Sequence, residues 1–113
     1  MLTKLQLDGH TVIVSNSNDT TFGTNPENDS LASYKISLTD GTLMKQPLVP
    51  AYGAFPRHFA LNKAGTLFAV GLQNSGNVVV LKRNGTSELF DKEVASINLA
   101  IGINFPVCVV WDE

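Results

Sequence analysis

Apolar residues along this chain come in short runs, often alternating with polar ones, and are rich in Val, Ile and Leu. A period of two places successive side chains on opposite faces of a strand. The pattern predicts strands at about 3–7, 11–16, 31–37, 42–48, 57–62, 67–72, 77–83, 88–95 and 107–111. Turn residues stand between them. Asp8-Gly9, Asp40-Gly41 and Asn84-Gly85 suit tight hairpins because Gly and Asn accept a positive φ at little cost, and Ala64-Gly65 plays the same part between the fifth and sixth strands. No window has the apolar spacing of an amphipathic helix, so the expected fold class is all-β.

A second pattern lies over the first. Gly53-Ala54-Phe55-Pro56-Arg57-His58-Phe59-Ala60-Leu61-Asn62 and the strand after it are echoed about 50 residues away on either side. Leu5-Gln6-Leu7-Asp8-Gly9-His10-Thr11-Val12 matches the second half of the unit, and Gly102-Ile103-Asn104-Phe105-Pro106-Val107 matches the first. A period of this size built of short strands and Gly turns is that of propeller blades. The strands group into one four-stranded antiparallel meander at about 3–48, a second at about 57–95, and a closing strand at about 107–111. Residues 1–113 are thus read as one partial β-propeller domain. A longer polar loop, about 17–30, interrupts the first meander where the second has only Gln73-Asn74-Ser75-Gly76.

Parity in a meander then assigns loops to faces. The turn after the second strand and the crossover between blades share one face. Ser15-Asn16-Ser17-Asn18-Asp19, Gln73-Asn74-Ser75 and Phe55-Pro56-Arg57-His58 fall together there. The hairpin tips Asp8-Gly9, Asp40-Gly41, Lys63-Ala64-Gly65 and Asn84-Gly85 fall on the opposite face.

Composition narrows the function classes. Hydrophobic residues make up 43% of the 113, the content of a folded domain, while charged residues are only 16% and the net charge is −2. Arg57 and Arg83 are far apart and no basic patch forms, so no nucleic-acid partner is expected. No apolar run approaches the ~20 residues of a membrane helix, so no membrane partner is expected either. The first residues lack the apolar segment of a secretory signal, which favours a cytoplasmic location. Asn18-Asp19-Thr20, Asn28-Asp29-Ser30 and Asn84-Gly85-Thr86 are glycosylation acceptors that keep secretion open. Cys108, the single cysteine, stands in the apolar run Val107-Cys108-Val109-Val110 and is expected to be a buried thiol. Two exposed meander faces, with the Phe, Leu and Val side chains they carry, predict self-association of the isolated chain.

The string Phe55-Pro56-Arg57-His58-Phe59-Ala60-Leu61-Asn62, then Gly65-Thr66-Leu67-Phe68-Ala69-Val70, then Gln73-Asn74-Ser75-Gly76-Asn77, resembles the last full blade of the lactonase-type seven-bladed propellers. That family includes the propeller-type 6-phosphogluconolactonases and the carboxy-cis,cis-muconate cyclases. Ser15-Asn16 with Asn18-Asp19 and Asp29-Ser30-Leu31-Ala32-Ser33-Tyr34 resembles the preceding blade, and Pro106-Val107-Cys108-Val109-Val110-Trp111 the closing strand. The resemblance implies a C-terminal part of such a propeller, acting on a lactone or a muconate-like carboxylate, or a non-catalytic binding or antigen-like relative. The position of Met1 near the start of a strand suits a truncated chain. The resemblance also implies an arginine where this chain has Ser17, and serine brings no charge to grip an anion.

Four residues are the candidate site. Arg57 suits a clamp for a carboxylate or phosphate, or equally a link between blades through carbonyls. His58 is the candidate catalytic acid or base, with an inert packed histidine as the alternative. Strand alternation puts His58, Ala60 and Asn62 on one side and Arg57, Phe59 and Leu61 on the other. Gln73 and Asn16 occupy corresponding strand ends, where an amide binds a polar ligand or ties a turn. His10 lies in a hairpin on the far face. No metal-ligand spacing and no cofactor loop emerges, so neither is expected. Asp19, Glu27 and Asp29 are read as a solvated acidic loop.

Overall fold

Thr11, Val12 and Ile13 are consecutive on one strand and all three are buried, so both faces of that strand are covered. The computed structural model describes residues 2–7, 11–84, 90–99 and 108–113, and it contains no helix among them. The first sheet runs β1 (Leu2–Leu7), β2 (Thr11–Asn16), β5 (Ser30–Ile36), with β6 (Leu43–Lys45) and β7 (Val49–Pro50) sharing the outer edge of β5. A small hairpin, β3 (Gly23–Thr24) and β4 (Glu27–Asn28), stands in the long loop. The second sheet is a meander of β8 (Pro56–Leu61), β9 (Leu67–Leu72), β10 (Asn77–Arg83) and β11 (Phe90–Asn98). All pairings in both sheets are antiparallel. These are the two four-stranded blades expected from the pattern, and the innermost strands β1 and β8 lie against each other.

The outer strand of the first blade differs from the single run expected at 42–48. Between the Tyr34–Lys45 and Leu31–Val49 pairs, β5 advances three residues while its partner advances four. Pro47 has no N–H to donate to a ladder, so the strand breaks there and resumes at Val49. Gln46 closes the gap. Its N–H donates to the Ser33 carbonyl at 3.0 Å, and its Oε1 accepts the Ser33 hydroxyl at 3.0 Å.

Between the sheets sits one apolar core. Ile13 and Leu31 come from the first sheet; Phe59, Phe68, Val70, Leu72, Val79, Leu81 and Phe90 come from the second. Phe68 is its centre, with ring centroids 4.7 Å from Phe59 and 4.2 Å from Phe90. Each such side chain removed from water contributes about 1.5–3 kcal/mol. At the hairpin-tip face, the Arg83 guanidinium donates to the hydroxyl of buried Thr11 at 3.2 Å and ties the sheets together. The β8–β9 turn is closed by Asn62, whose Oδ1 accepts the N–H groups of Thr66 and Leu67, with Gly65 at φ +73° supplying the left-handed residue.

Residues 108–113, where the closing strand was expected, run beside β8 in the same direction. Val109 meets His58, Trp111 meets Ala60, and Glu113 meets Lys63. The contacts are side chain to backbone rather than ladder pairs: Trp111 Nε1 donates to the Ala60 carbonyl at 2.8 Å, and Glu113 accepts the Lys63 N–H. The hairpin holding His10, the Asn84-Gly85 tip beyond Asn84, and the repeat at 102–107 lie outside the described residues.

Candidate functional site

The crossover from β7 to β8 is held by a lattice of hydrogen bonds at the loop-rich face. The Ala51 N–H donates to the Asp29 carbonyl at 2.8 Å, and the Asp29 N–H returns a bond to the Gly53 carbonyl at 2.9 Å. Tyr52 N–H donates to Asn28 Oδ1 at 3.0 Å, and Ala54 N–H to Ser75 Oγ at 3.0 Å. Tyr52 and Phe55 hold φ values of +64° and +63°. Such conformations cost non-glycine residues of order 1–3 kcal/mol each, and this lattice of bonds maintains them.

Asp29 anchors the lattice. Its side chain is fully buried, and its carboxylate accepts three backbone N–H groups: Asn18 at 2.8 Å, Thr20 at 3.0 Å and Phe55 at 2.7 Å. The expectation of a solvated acidic loop is therefore wrong for Asp29. Backbone donors from two blades satisfy it, and backbone donors leave no trace in a sequence pattern. Asp19 supports the same loop by accepting the Ser30 N–H at 3.0 Å and the hydroxyls of Ser30 and Thr21. Partial burial pushes the Asp19 carboxyl upward, but the bonds from Ser30 and Thr21 outweigh it and the net shift is downward.

The backbone at Arg57, His58 and Gln73 stands at one end of the second sheet, the end that parity assigned to this face. The Gln73 N–H donates to the Phe55 carbonyl at 2.9 Å, directly before the Pro56-Arg57 step. Arg57 sits at a bulge: Pro56 pairs with Leu72 and His58 with Gly71, which leaves Arg57 without a cross-strand partner. Bulges re-aim side chains. The expectation that Arg57 shares the side of Phe59 is corrected accordingly: Phe59 is fully buried and Arg57 is exposed. Among the described residues Arg57 makes no ion pair or side-chain hydrogen bond.

His58 is half-buried, and its Nδ1 accepts the Val109 N–H at 3.1 Å. An accepting Nδ1 assigns the proton of the neutral ring to Nε2, which lies 4.0 Å from Cys108 Sγ. His58 is thus arranged as a proton donor at Nε2. Cys108 itself is exposed, which overturns the buried thiol expected from its apolar run. Residues 108–113 lie along the flank of β8, and Val110 is 81% exposed there.

Asn16 is drawn into the loop rather than left open, since its Nδ2 donates to Ser30 Oγ at 3.1 Å. Gln73 keeps a half-exposed side chain with no hydrogen bond to it among the described residues. Ser17 is fully buried. Among the described residues no group of three or more His, Cys, Asp or Glu is placed to hold a metal ion.

A profile of the family described as "Lactonase, 7-bladed beta-propeller" matches residues 3–111. The 6-phosphogluconolactonase of Formosa agariphila is 34% identical over 59 residues, which is 52% of this chain and 17% of that protein. Among solved structures, a candidate 6-phosphogluconolactonase from Bacteroides uniformis superposes with a TM-score of 0.76 at 24% identity, over 95% of this chain and 28% of its own. The periplasmic gluconolactonase PpgL of Pseudomonas aeruginosa superposes with a TM-score of 0.75 at 25% identity, over 87% of this chain and 25% of its own. The chain therefore spans between about a sixth and somewhat over a quarter of the length of these relatives.

Proposed function

This chain belongs to the lactonase family of seven-bladed β-propellers, and from that premise we propose that its two blades supply one side of a hub that opens the lactone of an anionic sugar acid. The observation that carries this reading is Arg57, an exposed cation free of ion pairs among the described residues, lifted out of the β8 ladder at the face it shares with His58 and Gln73.

In this reading Arg57 holds the phosphate or carboxylate of the substrate by paired N–H donors. Gln73 orients a hydroxyl group. Water adds to the lactone carbonyl and the ring C–O bond breaks; His58 Nε2 passes its proton to the ring oxygen and recovers one from the added water, so the imidazole ends neutral and a hydroxy acid results. Cyclisation of a muconate-like dicarboxylate asks for the same anion clamp and proton donor and is the alternative reaction. A ring is completed by other blades, so turnover by this chain alone is expected to be slight.

The test is binding before turnover. Thermal unfolding is followed with 6-phosphogluconate, the product of lactone opening, and with 3-carboxy-cis,cis-muconate. A saturable rise in melting temperature with the first, lost in Arg57→Ala, supports lactone chemistry; a rise with the second alone moves the assignment to cyclisation. No rise with either, or equal rises in Arg57→Ala, overturns the clamp.

A second reading, a non-catalytic binding propeller, is favoured by Ser17, which is buried and uncharged where the family resemblance implies arginine. Binding of 6-phosphogluconate without lactone opening, in a chain carrying all seven blades and this serine, selects it.

A further inference from the structure

A crevice of about 490 Å³ opens between the two blades at the loop-rich face, and neither Arg57 nor His58 lines it. Its walls are the β3–β4 hairpin, the Tyr52–Gly53 crossover, the turn before β10, and the outer strand β11. All four walls belong to described residues of these two blades. Its volume lies in the range of small-molecule sites.

The chemistry of the lining selects a ligand class. Asn28 and Asn77 each use their oxygen inside the wall: Asn28 Oδ1 accepts the Tyr52 N–H at 3.0 Å, and Asn77 Oδ1 accepts the Ser75 hydroxyl at 2.5 Å. This fixes both amides with their NH₂ groups left to donate. The lining adds the carboxylates of Glu27 and Glu93 as acceptors and the amides of Asn25 and Asn98 as both acceptors and donors, and it holds no Lys or Arg. A phosphate or carboxylate ligand would satisfy the amides but be repelled by two like charges. An ammonium ligand would satisfy the carboxylates but meet amide donors with a donor. Hydroxyl groups do both at once, accepting from the amides and donating to the carboxylates. Phe22, 42% exposed, and Tyr52 add aromatic surface for the apolar faces of a pyranose ring.

From this donor and acceptor arrangement we infer that the crevice between the β3–β4 hairpin and β11 binds a neutral saccharide. It is a second site of opposite electrostatic preference to the Arg57 hub. The longer loop of the first blade exists, in this view, to build its wall.

The experiment titrates the 113-residue chain with glucose, galactose, maltose and cellobiose by saturation-transfer NMR, with glucuronate and glucosamine as charged counterparts. At least one neutral sugar is expected to bind saturably, at least tenfold more tightly than the corresponding charged sugar. Phe22→Ala and Glu93→Ala lie at exposed positions and are expected to weaken that binding tenfold or more, with unchanged circular dichroism confirming the fold. Arg57→Ala is expected to leave it unaltered, which separates this site from the hub. No saturable binding of any of the four neutral sugars overturns the inference. So does equal binding by Phe22→Ala, loss of binding in Arg57→Ala, or preference for glucuronate.

Discussion

The Asp29 carboxylate accepts the backbone N–H of Phe55 at 2.7 Å, a bond that joins the long loop of one blade to the crossover that enters the next. The same carboxylate holds the N–H groups of Asn18 and Thr20, so one buried side chain sets where the loop, the crossover and Arg57 stand relative to each other. Asp29→Ala leaves three donors without this acceptor. An unsatisfied buried donor costs about 1–3 kcal/mol, so a loss of at least that size is expected in urea unfolding. Asp29→Asn keeps one acceptor oxygen and is expected to lose less. An unchanged midpoint for Asp29→Ala would mean that the loop is held by other contacts.

Gly53 is a position where a side chain has no room. A Cβ there would stand 2.6 Å from Ser75 Oγ and 2.7 Å from Leu72 Cδ1. Leu72 is core and Ser75 Oγ is already bonded to the Ala54 N–H, so neither yields freely. Gly53→Ala is expected to cost about 1–3 kcal/mol by overpacking, read as a lower urea midpoint at unchanged slope. Ser75→Gly relieves one of the two clashes and should return part of the loss in the double variant; no recovery would locate the strain at Leu72.

Asp19 gives the loop an acid-sensitive lock. The bonds from Ser30 and Thr21 hold its folded carboxyl below the ordinary aspartate value. The charged form is therefore favoured by folding, and its contribution is fully present above that value and fades as the pH falls through the lower folded one. Between pH 5 and 2, the wild-type midpoint in urea should fall more steeply than that of Asp19→Asn. Parallel curves would assign the acid sensitivity elsewhere.

Exposed apolar side chains at both outer strands predict association. Leu43 and Met44 on β6 are 56% and 64% exposed, and Ile97 on β11 is 60% exposed. Both strands are sheet edges with open backbone groups, which invites pairing. Light scattering at rising concentration is expected to show oligomers, reduced by Met44→Lys and Ile97→Lys together. A monodisperse monomer throughout would contradict this.

Much of this architecture was legible from residue pattern. Alternation and Gly turns located β9 and β10 to the residue, because those strands have a buried face that forces the period of two, while β2, covered on both faces, was bounded by the turns that flank it. Meander parity alone brought Arg57, His58 and Gln73 to one face. What escaped depended on groups that a side-chain pattern cannot carry. The bulge at Arg57 is a property of the β8–β9 ladder, not of either strand. The Asp29 clamp is built from backbone donors. Cys108 looked internal because its neighbours are apolar, yet residues 108–113 border the flank of β8, where apolar composition does not secure burial.

The unpaired residue in β8 has a bearing on how this site can change over time. Upstream of it Pro56 faces inward, and downstream Phe59 faces inward, so the two halves of the strand run out of phase by one position. Deleting Arg57 would bring Pro56 and Phe59 two positions apart, so both would still face inward in a uniform ladder, and the lifted position would vanish with its bulge. Closing the bulge while keeping every residue would instead turn one half of the strand inside out. The one residue that β8 carries beyond its partner is therefore what creates the position, and point substitutions there can exchange its chemistry without disturbing the scaffold.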